Sequence, residues 1–179
     1  MIPGLLNTIT WFGTVFAIRL VFETLTTQRL RSFKGNFTMS WTIKKAILVP
    51  YDFSEHSHAA VDKALELTDD KTLVHVVHVL PPPLVPGSFP VEEVDDEARI
   101  NYAQKLMAGE FQDSSYTGIV REVLVGDPGT VCAERAEALQ ADLIVLPSHG
   151  RSGISRLLLG SVTERVVRLA TRPVLVLKI

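Results

Sequence analysis

The amino-acid sequence predicts an α/β protein, a doubly wound five-stranded parallel sheet with helices on both faces, over residues 42–179. Three observations carry this reading. Short runs of apolar and β-branched residues recur along the chain, as strands buried on both faces require. Between them lie segments whose apolar residues follow helical spacing. Strand runs close on proline, glycine or aspartate before helix chemistry resumes, so the order is strand, turn, helix. Such alternation implies right-handed parallel crossovers, with ligands at the carboxyl ends of the strands where the strand order reverses. Periodicity leaves the strand order itself open.

The first strand is read at residues 46–50, the run Ala-Ile-Leu-Val-Pro. A helix follows over residues 54–67, where Ala60, Val61, Ala64 and Leu65 share a face and Ser54 is placed to cap. The second strand, 72–80, is rich in β-branched residues and stops at Pro81, because proline cannot donate to a sheet ladder. Residues 81–90 must be loop. Helix-forming composition marks residues 92–112, and the acidic run Glu92, Glu93, Asp95, Asp96 and Glu97 favours the helix dipole as a solvated face. The third strand is read at 119–125, and Gly126-Asp127-Pro128 opens a helix over 130–140. A fourth strand at 142–146, a helix at 161–170 and a fifth strand at 173–177 complete the pattern.

A chain of 179 residues suits one domain of this size. With 46% apolar and 21% charged residues it is unlike a disordered chain. The net charge is −2, and acidic residues offset the cluster Arg151, Arg156, Arg165, Arg168 and Arg172, so no nucleic-acid partner is expected. The lone Cys132 cannot form an intramolecular disulfide and reads as core filler in a reducing cytoplasm. Residues 1–41 stand apart as an N-terminal extension. Its span 2–22 is largely apolar, interrupted by Asn7, threonines and Arg19, with Arg29, Arg31 and Lys34 following. Met39 lies a few residues ahead of the first strand, as a natural start would, so a non-native or disordered extension is expected. A membrane anchor at residues 2–22, with Arg19 snorkelling, is the alternative. A signal peptide fits worse, since the basic residues follow the apolar run.

Asp52 lies at the carboxyl edge of the first strand, where its carboxylate can accept from a ribose or an adenine amino group, or equally start the first helix. The fourth strand runs into Pro147-Ser148-His149-Gly150-Arg151-Ser152-Gly153, and Gly160-Ser161 heads the last helix. Glycines let backbone approach an anion, and a helix start supplies free N–H groups, so this loop reads as a phosphate cradle. A side chain at Gly160 is expected to intrude on it. It is neither a Walker loop nor a G-x-G-x-x-G fingerprint. Ser161-Val162-Thr163-Glu164 also reads as a capping box, a role compatible with ligand contact. His56 and His58 diverge on a helix, and His75 and His78 face opposite ways on a strand, so no metal site is expected. Ser148 and His149 are rejected as a hydrolytic pair, because adjacent side chains are expected not to meet and no G-x-S-x-G elbow occurs.

In order and spacing, Pro50-Tyr51-Asp52-Phe53-Ser54, Gly126-Asp127-Pro128, the run from Asp142 to Arg151, Leu159-Gly160-Ser161-Val162 and Arg172-Pro173-Val174-Leu175-Val176 resemble the universal stress protein family. The resemblance covers residues 42–179. It implies a flavodoxin-like sandwich of the adenine nucleotide alpha hydrolase kind, with ATP or AMP as ligand and Mg2+ an accompanying ion. It implies that Pro50, Tyr51 and Asp52 line the adenosine side, with Val79 beside the base. Gly150, Gly160, Ser161 and Val162 would hold the phosphates, with Leu146, Pro147 and Gly153 completing the lining. Arg151 reads as a loop cation near the phosphates or as a solvated charge. The family's nucleotide motif is Gly-x2-Gly-x9-Gly-Ser/Thr; Gly150, Gly160 and Ser161 match its second half, while Pro147 stands at the first glycine. Proline there lowers affinity if the glycine donates or needs positive φ, and is tolerated if it merely permits close approach. The apolar residues 173–179 have no following element to cover their edge, and the resemblance implies that they pair with a second copy across a two-fold axis. The function so implied is a nucleotide-responsive dimeric stress-response module. A slow ATPase and a family member acting through protein contacts alone are the alternatives. No catalytic base stands out, so binding is favoured over catalysis.

Overall fold

The computed structural model describes residues 17–18, 43–82, 95–150 and 159–178. The strands are β1 (Ala17–Ile18), β2 (Ile47–Pro50), β3 (Val74–Leu80), β4 (Val120–Val125), β5 (Leu143–Pro147) and β6 (Val174–Leu177). The helices are α1 (Glu55–Leu65), α2 (Asp96–Glu110), α3 (Pro128–Ala138) and α4 (Ser161–Leu169). All five strands read from the sequence are present, and every pairing is parallel, in the order β1-β6-β5-β2-β3-β4. β2 is central, and the chain builds outward through β3 and β4 before crossing back to β5 and β6.

Strand alternation sends side chains to two cores. Ile47, Val49, Val74, Val76 and Val145 pack with Ala60, Val61 and Ala64 of α1 and Met107 of α2. Leu48, Val77, Val79, Ile144 and Leu146 face the other way, onto Cys132 and Ala136 of α3 and Val166 of α4. Fully burying each Val, Leu or Ile contributes about 1.5–3 kcal/mol, so these paired layers hold the sandwich together.

Capping residues set the helix starts. Ser54, Asp95 and Asp127 each accept from an amide in the first turn of the helix that follows, from Ser57, Ala98 and Thr130 respectively. α3 therefore starts earlier than its apolar pattern suggests, with Pro128 in the first turn, where a missing N–H costs nothing. β3 starts later, because Asp70 caps a single 3-10 turn at Lys71–Leu73. β5 begins at Leu143 rather than Asp142, whose carboxylate accepts from the amides of Lys44 and Lys45 at 2.7 and 2.8 Å.

The strand at the chain end is not left bare. Ala17 pairs with Val174 and Ile18 with Leu175, so part of the β6 edge expected to be uncovered is occupied from the N-terminal side. Residue 179 and the rest of the proposed anchor, residues 2–22, lie outside the described residues, as do 83–94. Among the described residues no helix is long and apolar enough to cross a membrane.

One turn depends on glycine. Gly126 donates to Leu80 O at 2.9 Å and holds φ at +144°, and a Cβ there would stand 2.6 Å from Val131 Cγ2. Gly126→Ala should therefore cost about 1–3 kcal/mol. Urea unfolding should show a lower midpoint at unchanged slope; an unaltered midpoint would contradict this account of the β4–α3 turn.

Candidate functional site

Strand order reverses between β2 and β5, and the sheet opens there. β2 stays paired with β3 through Pro50 opposite Val77, and β5 with β6 through Pro147 opposite Leu177. Between β2 and β5, however, the register covers Ile47 with Leu143 and Leu48 with Ile144. The two prolines explain the difference. Tyr51 N–H donates to Val77 O, so by ladder alternation the Pro50 nitrogen is turned toward β5. Ile144 and Ser148 donate to Pro173 O and Leu177 O, so the Pro147 nitrogen is turned toward β2. Neither nitrogen carries a hydrogen, and the seam loses donors from both sides at the same end. A cleft of about 230 Å3 lies here.

Of the residues expected at the site, Pro50, Tyr51, Asp52, Val79, Leu146, Pro147, Gly150, Gly160, Ser161 and Val162 border this cleft. Arg151 and Gly153 lie outside the described residues. Ser57, Val77, His78, Pro128, Cys132 and Thr163 also line it and were missed from sequence. Topology held their signal, since they lie on the second half of β3 and in the first two turns of helices that follow strands.

Asp52 serves the helix start and the cleft together. Its Oδ1 accepts from the Ser54 amide at 3.1 Å and the Ser54 hydroxyl at 2.5 Å. The next residue, Phe53, takes φ +63°, a conformation most side chains avoid. Oδ2 faces the other way, and a Cβ on Gly150 would stand 2.5 Å from it. Gly150 is thus the glycine that the close approach of loop and carboxylate requires. Gly160 needs no such close approach within the protein: its φ is −60°, and a Cβ would meet His149 Cα, Ser148 O and Gly150 N at 3.5–3.6 Å, ordinary contact.

The capping-box reading is corrected. Gly160, not Ser161, is the α4 cap, and no side chain caps the helix. Gly160 N–H donates to Ser148 O at 2.8 Å, tying helix to loop. Thr163 turns inward and donates its hydroxyl to Pro147 O at 2.8 Å. Intrahelical bonding begins with the Glu164 amide to Gly160 O, so the amides of Ser161, Val162 and Thr163 lack intrahelical partners. Ser161 is exposed at the cleft, and among the described residues its hydroxyl has no partner. The α4 head thus offers donors and a positive dipole end.

Other polar groups are committed elsewhere. The Tyr51 ring packs against Phe53 and Phe111, and its hydroxyl lies 3.4 Å from Glu110 and from His58; burial, then the Glu110 carboxylate, pushes its pKa well above the usual phenol range. Burial raises the Cys132 thiol to about 12, so this cleft residue is no nucleophile at neutral pH. His78 Nδ1 sits 2.8 Å from Tyr51 O, while His75 faces Glu122. Contrary to the sequence argument, Ser148 Oγ and His149 Nδ1 do meet, at 3.0 Å, because the chain turns as it leaves β5. They still form no triad: His149 Nε2 is buried with no partner among the described residues, so no carboxylate orients the ring. Among the described residues no group of three or more His, Cys, Asp or Glu is placed to hold a metal ion.

The chain matches the family model described as the universal stress protein family over residues 44–178. It is 34% identical to universal stress protein MJ0531 of Methanocaldococcus jannaschii, over 75% of this chain and 82% of that one. A universal stress protein of Thermus aquaticus is 35% identical, over 75% of this chain and 98% of its own. Among solved structures, MJ0577 superposes with a TM-score of 0.61 at 30% identity, covering 77% of this chain and 98% of that one. A universal stress protein solved in complex with cAMP superposes at 0.53 with 27% identity, over 74% and 96%.

If the Asp52 carboxylate is what forbids a side chain at position 150, the two sites must be coupled. Gly150→Ala should destabilise the wild-type protein by about 1 kcal/mol or more, and an Asp52→Ala background by clearly less. Equal effects in both backgrounds, by thermal or urea unfolding, would contradict the contact.

Proposed function

The chain belongs to the universal stress protein family, and on that premise we propose that its cleft binds an adenine nucleotide, ATP or AMP, with occupancy rather than turnover as its function. One observation carries the proposal: the opening between β2 and β5 sets an acceptor, the Asp52 carboxylate, against a helix head whose first amides lack intrahelical partners and a Ser161 hydroxyl with no partner among the described residues. A ribose offers hydroxyl donors to the first, and a phosphate offers acceptors to the second. The relative solved with cAMP supports this ligand class.

Pro147 is compatible with it. Its nitrogen points into the opening rather than at a sheet partner, and its carbonyl is engaged by Thr163. In this reading phosphate contacts fall to Gly150, Ser161 and Val162, and Mg2+ would be held by the nucleotide itself. Hydrolysis is not favoured, because His149 Nδ1 is engaged by the Ser148 hydroxyl and, among the described residues, no side chain is poised to activate water. The buried thiol of Cys132 fits a reducing cytoplasm.

Residues 42–179 form the functional domain in this proposal, and β6 pairs with a second copy. Ala17–Ile18 then compete with that copy for Val174 and Leu175. Deleting residues 1–41 should leave nucleotide affinity within about twofold, since β1 pairs at the sheet edge away from the cleft, while sedimentation should show stronger self-association. A truncated protein that stays monomeric at micromolar concentration would count against β6 as the dimer edge.

Calorimetric titration tests the ligand. Asp52→Ala should weaken adenosine, AMP and ATP alike by about tenfold, the loss of a hydrogen bond to a charged group. Ser161→Ala should weaken ATP and AMP a few-fold and leave adenosine unchanged. Ligand-free wild-type protein that binds none of the three at millimolar concentration would overturn the proposal.

A further inference from the structure

We propose that Ser57 and Thr163 are positioning residues: their buried hydroxyls take the two backbone groups that would otherwise bridge β2 and β5 above the prolines, Asp52 N–H and Pro147 O, and so hold the cleft open for its ligand. The class of that ligand rests on the nucleotide reading above.

The ladder decides which groups these are. β2 and β5 pair at Leu48 and Ile144, and Tyr51 turns its amide to β3, so the residues on either side of Tyr51 turn theirs toward β5. The rungs that need an N–H from Pro50 or Pro147 cannot form. Continued alternation makes the next rung Asp52 N–H to Pro147 O, which would close the seam at the level of the cleft. Both groups are engaged by side chains instead. Asp52 N–H donates to Ser57 Oγ at 3.4 Å, and Thr163 Oγ1 donates to Pro147 O at 2.8 Å. Ser57 gives its own proton to Ser54 O at 2.9 Å, which leaves its oxygen to accept. One hydroxyl thus stands in for the acceptor of the missing rung and the other for its donor.

The two residues occupy matching places. Ser57 is the third residue of α1 and Thr163 the third of α4, and both line the cleft. Each interrupts the buried apolar face of its helix, Ser57 beside Ala60, Val61 and Ala64, Thr163 beside Val166. They are 2% and 4% exposed, and among the described residues Ser148 is the only other polar or charged residue so buried. Burying a hydroxyl costs free energy unless it is hydrogen-bonded, so packing alone would be served better by an apolar side chain. What the hydroxyls add is position: Ser57 fixes the Asp52 wall to α1, and Thr163 fixes the head of α4 to β5.

Calorimetry with adenosine, AMP and ATP, alongside urea unfolding, tests the pair. Thr163→Val keeps the shape and removes the donor; it should weaken AMP and ATP by about tenfold and leave adenosine within about twofold, because α4 carries the phosphate contacts. Thr163→Ser restores the hydroxyl and should bind all three within about twofold of wild type. Ser57→Ala should weaken all three a few-fold, because Asp52 carries the ribose contact. In the double variant Ser57→Ala, Thr163→Val the Asp52 amide and Pro147 O are released together and can pair with each other. It should bind ATP more weakly than either single variant, yet unfold at a midpoint above the value that adding the two single losses gives. ATP affinity of Thr163→Val within about twofold of wild type, or midpoint losses that simply add, would overturn the positioning role and leave the nucleotide reading standing. Wild-type protein that binds none of the three at millimolar concentration would overturn both.

Discussion

The seam between β2 and β5 governs this molecule. Parallel strands hold together through alternating donors, and here two neighbouring central strands end in Pro50 and Pro147, each with its hydrogen-less nitrogen turned toward the other. The sheet stays closed below that level, where Ile47 and Leu48 meet Leu143 and Ile144. Above it the strands keep their outer partners and lose each other. Elements around the opening follow from this one constraint. Asp52 leaves the end of β2 and Gly150 the end of β5, and they approach so closely that a Cβ at position 150 would stand 2.5 Å from Asp52 Oδ2 and force the carboxylate to shift. Helix α4 is tied to the same strand end by Thr163 and to the loop by Gly160, which brings its first amides, without intrahelical partners, to the gap.

Much of the fold was legible because the physics behind it is local. Apolar runs at 46–50, 74–80 and 143–147 can hide on both faces only in a covered parallel sheet, and Ser54 and Asp127 sit at helix starts where capping chemistry needs them. Features that were less legible depend on distance. Composition reads Thr72 as strand, yet Asp70 folds that stretch into a turn. Ser161 is a good cap by identity, but the approach of residues 148–150 makes Gly160 the cap and places the serine one residue inside the helix. Ser148 and His149 meet because the chain bends after β5, which spacing alone does not reveal. The pairing of Ala17–Ile18 on β6 joins segments more than 150 residues apart, and composition carries no mark of it.

At the site, residue types were easier to read than their division of labour. Asp52, Gly150 and Ser161 stand out in sequence, and the structure brings all three to one cleft. Ser57 and Thr163 did not stand out, because a hydroxyl on the apolar face of a helix carries no mark of its partner. Their interest comes from the backbone groups of Asp52 and Pro147 that they engage. Gly160, prominent in the motif, leaves room for a Cβ among the protein's own atoms, while a Cβ at Gly150 would press on the Asp52 carboxylate.

Amide hydrogen exchange in the presence and absence of saturating ATP tests the central claim most directly, because it reports on the cleft residue by residue. Occupancy of the opening between β2 and β5 predicts protection at Gly150 and at the amides of Ser161, Val162 and Thr163, with the outer faces of α1 and α2 unchanged. Exchange at those four amides unaltered by ATP, or protection confined to α2 or the β6 edge, would contradict it.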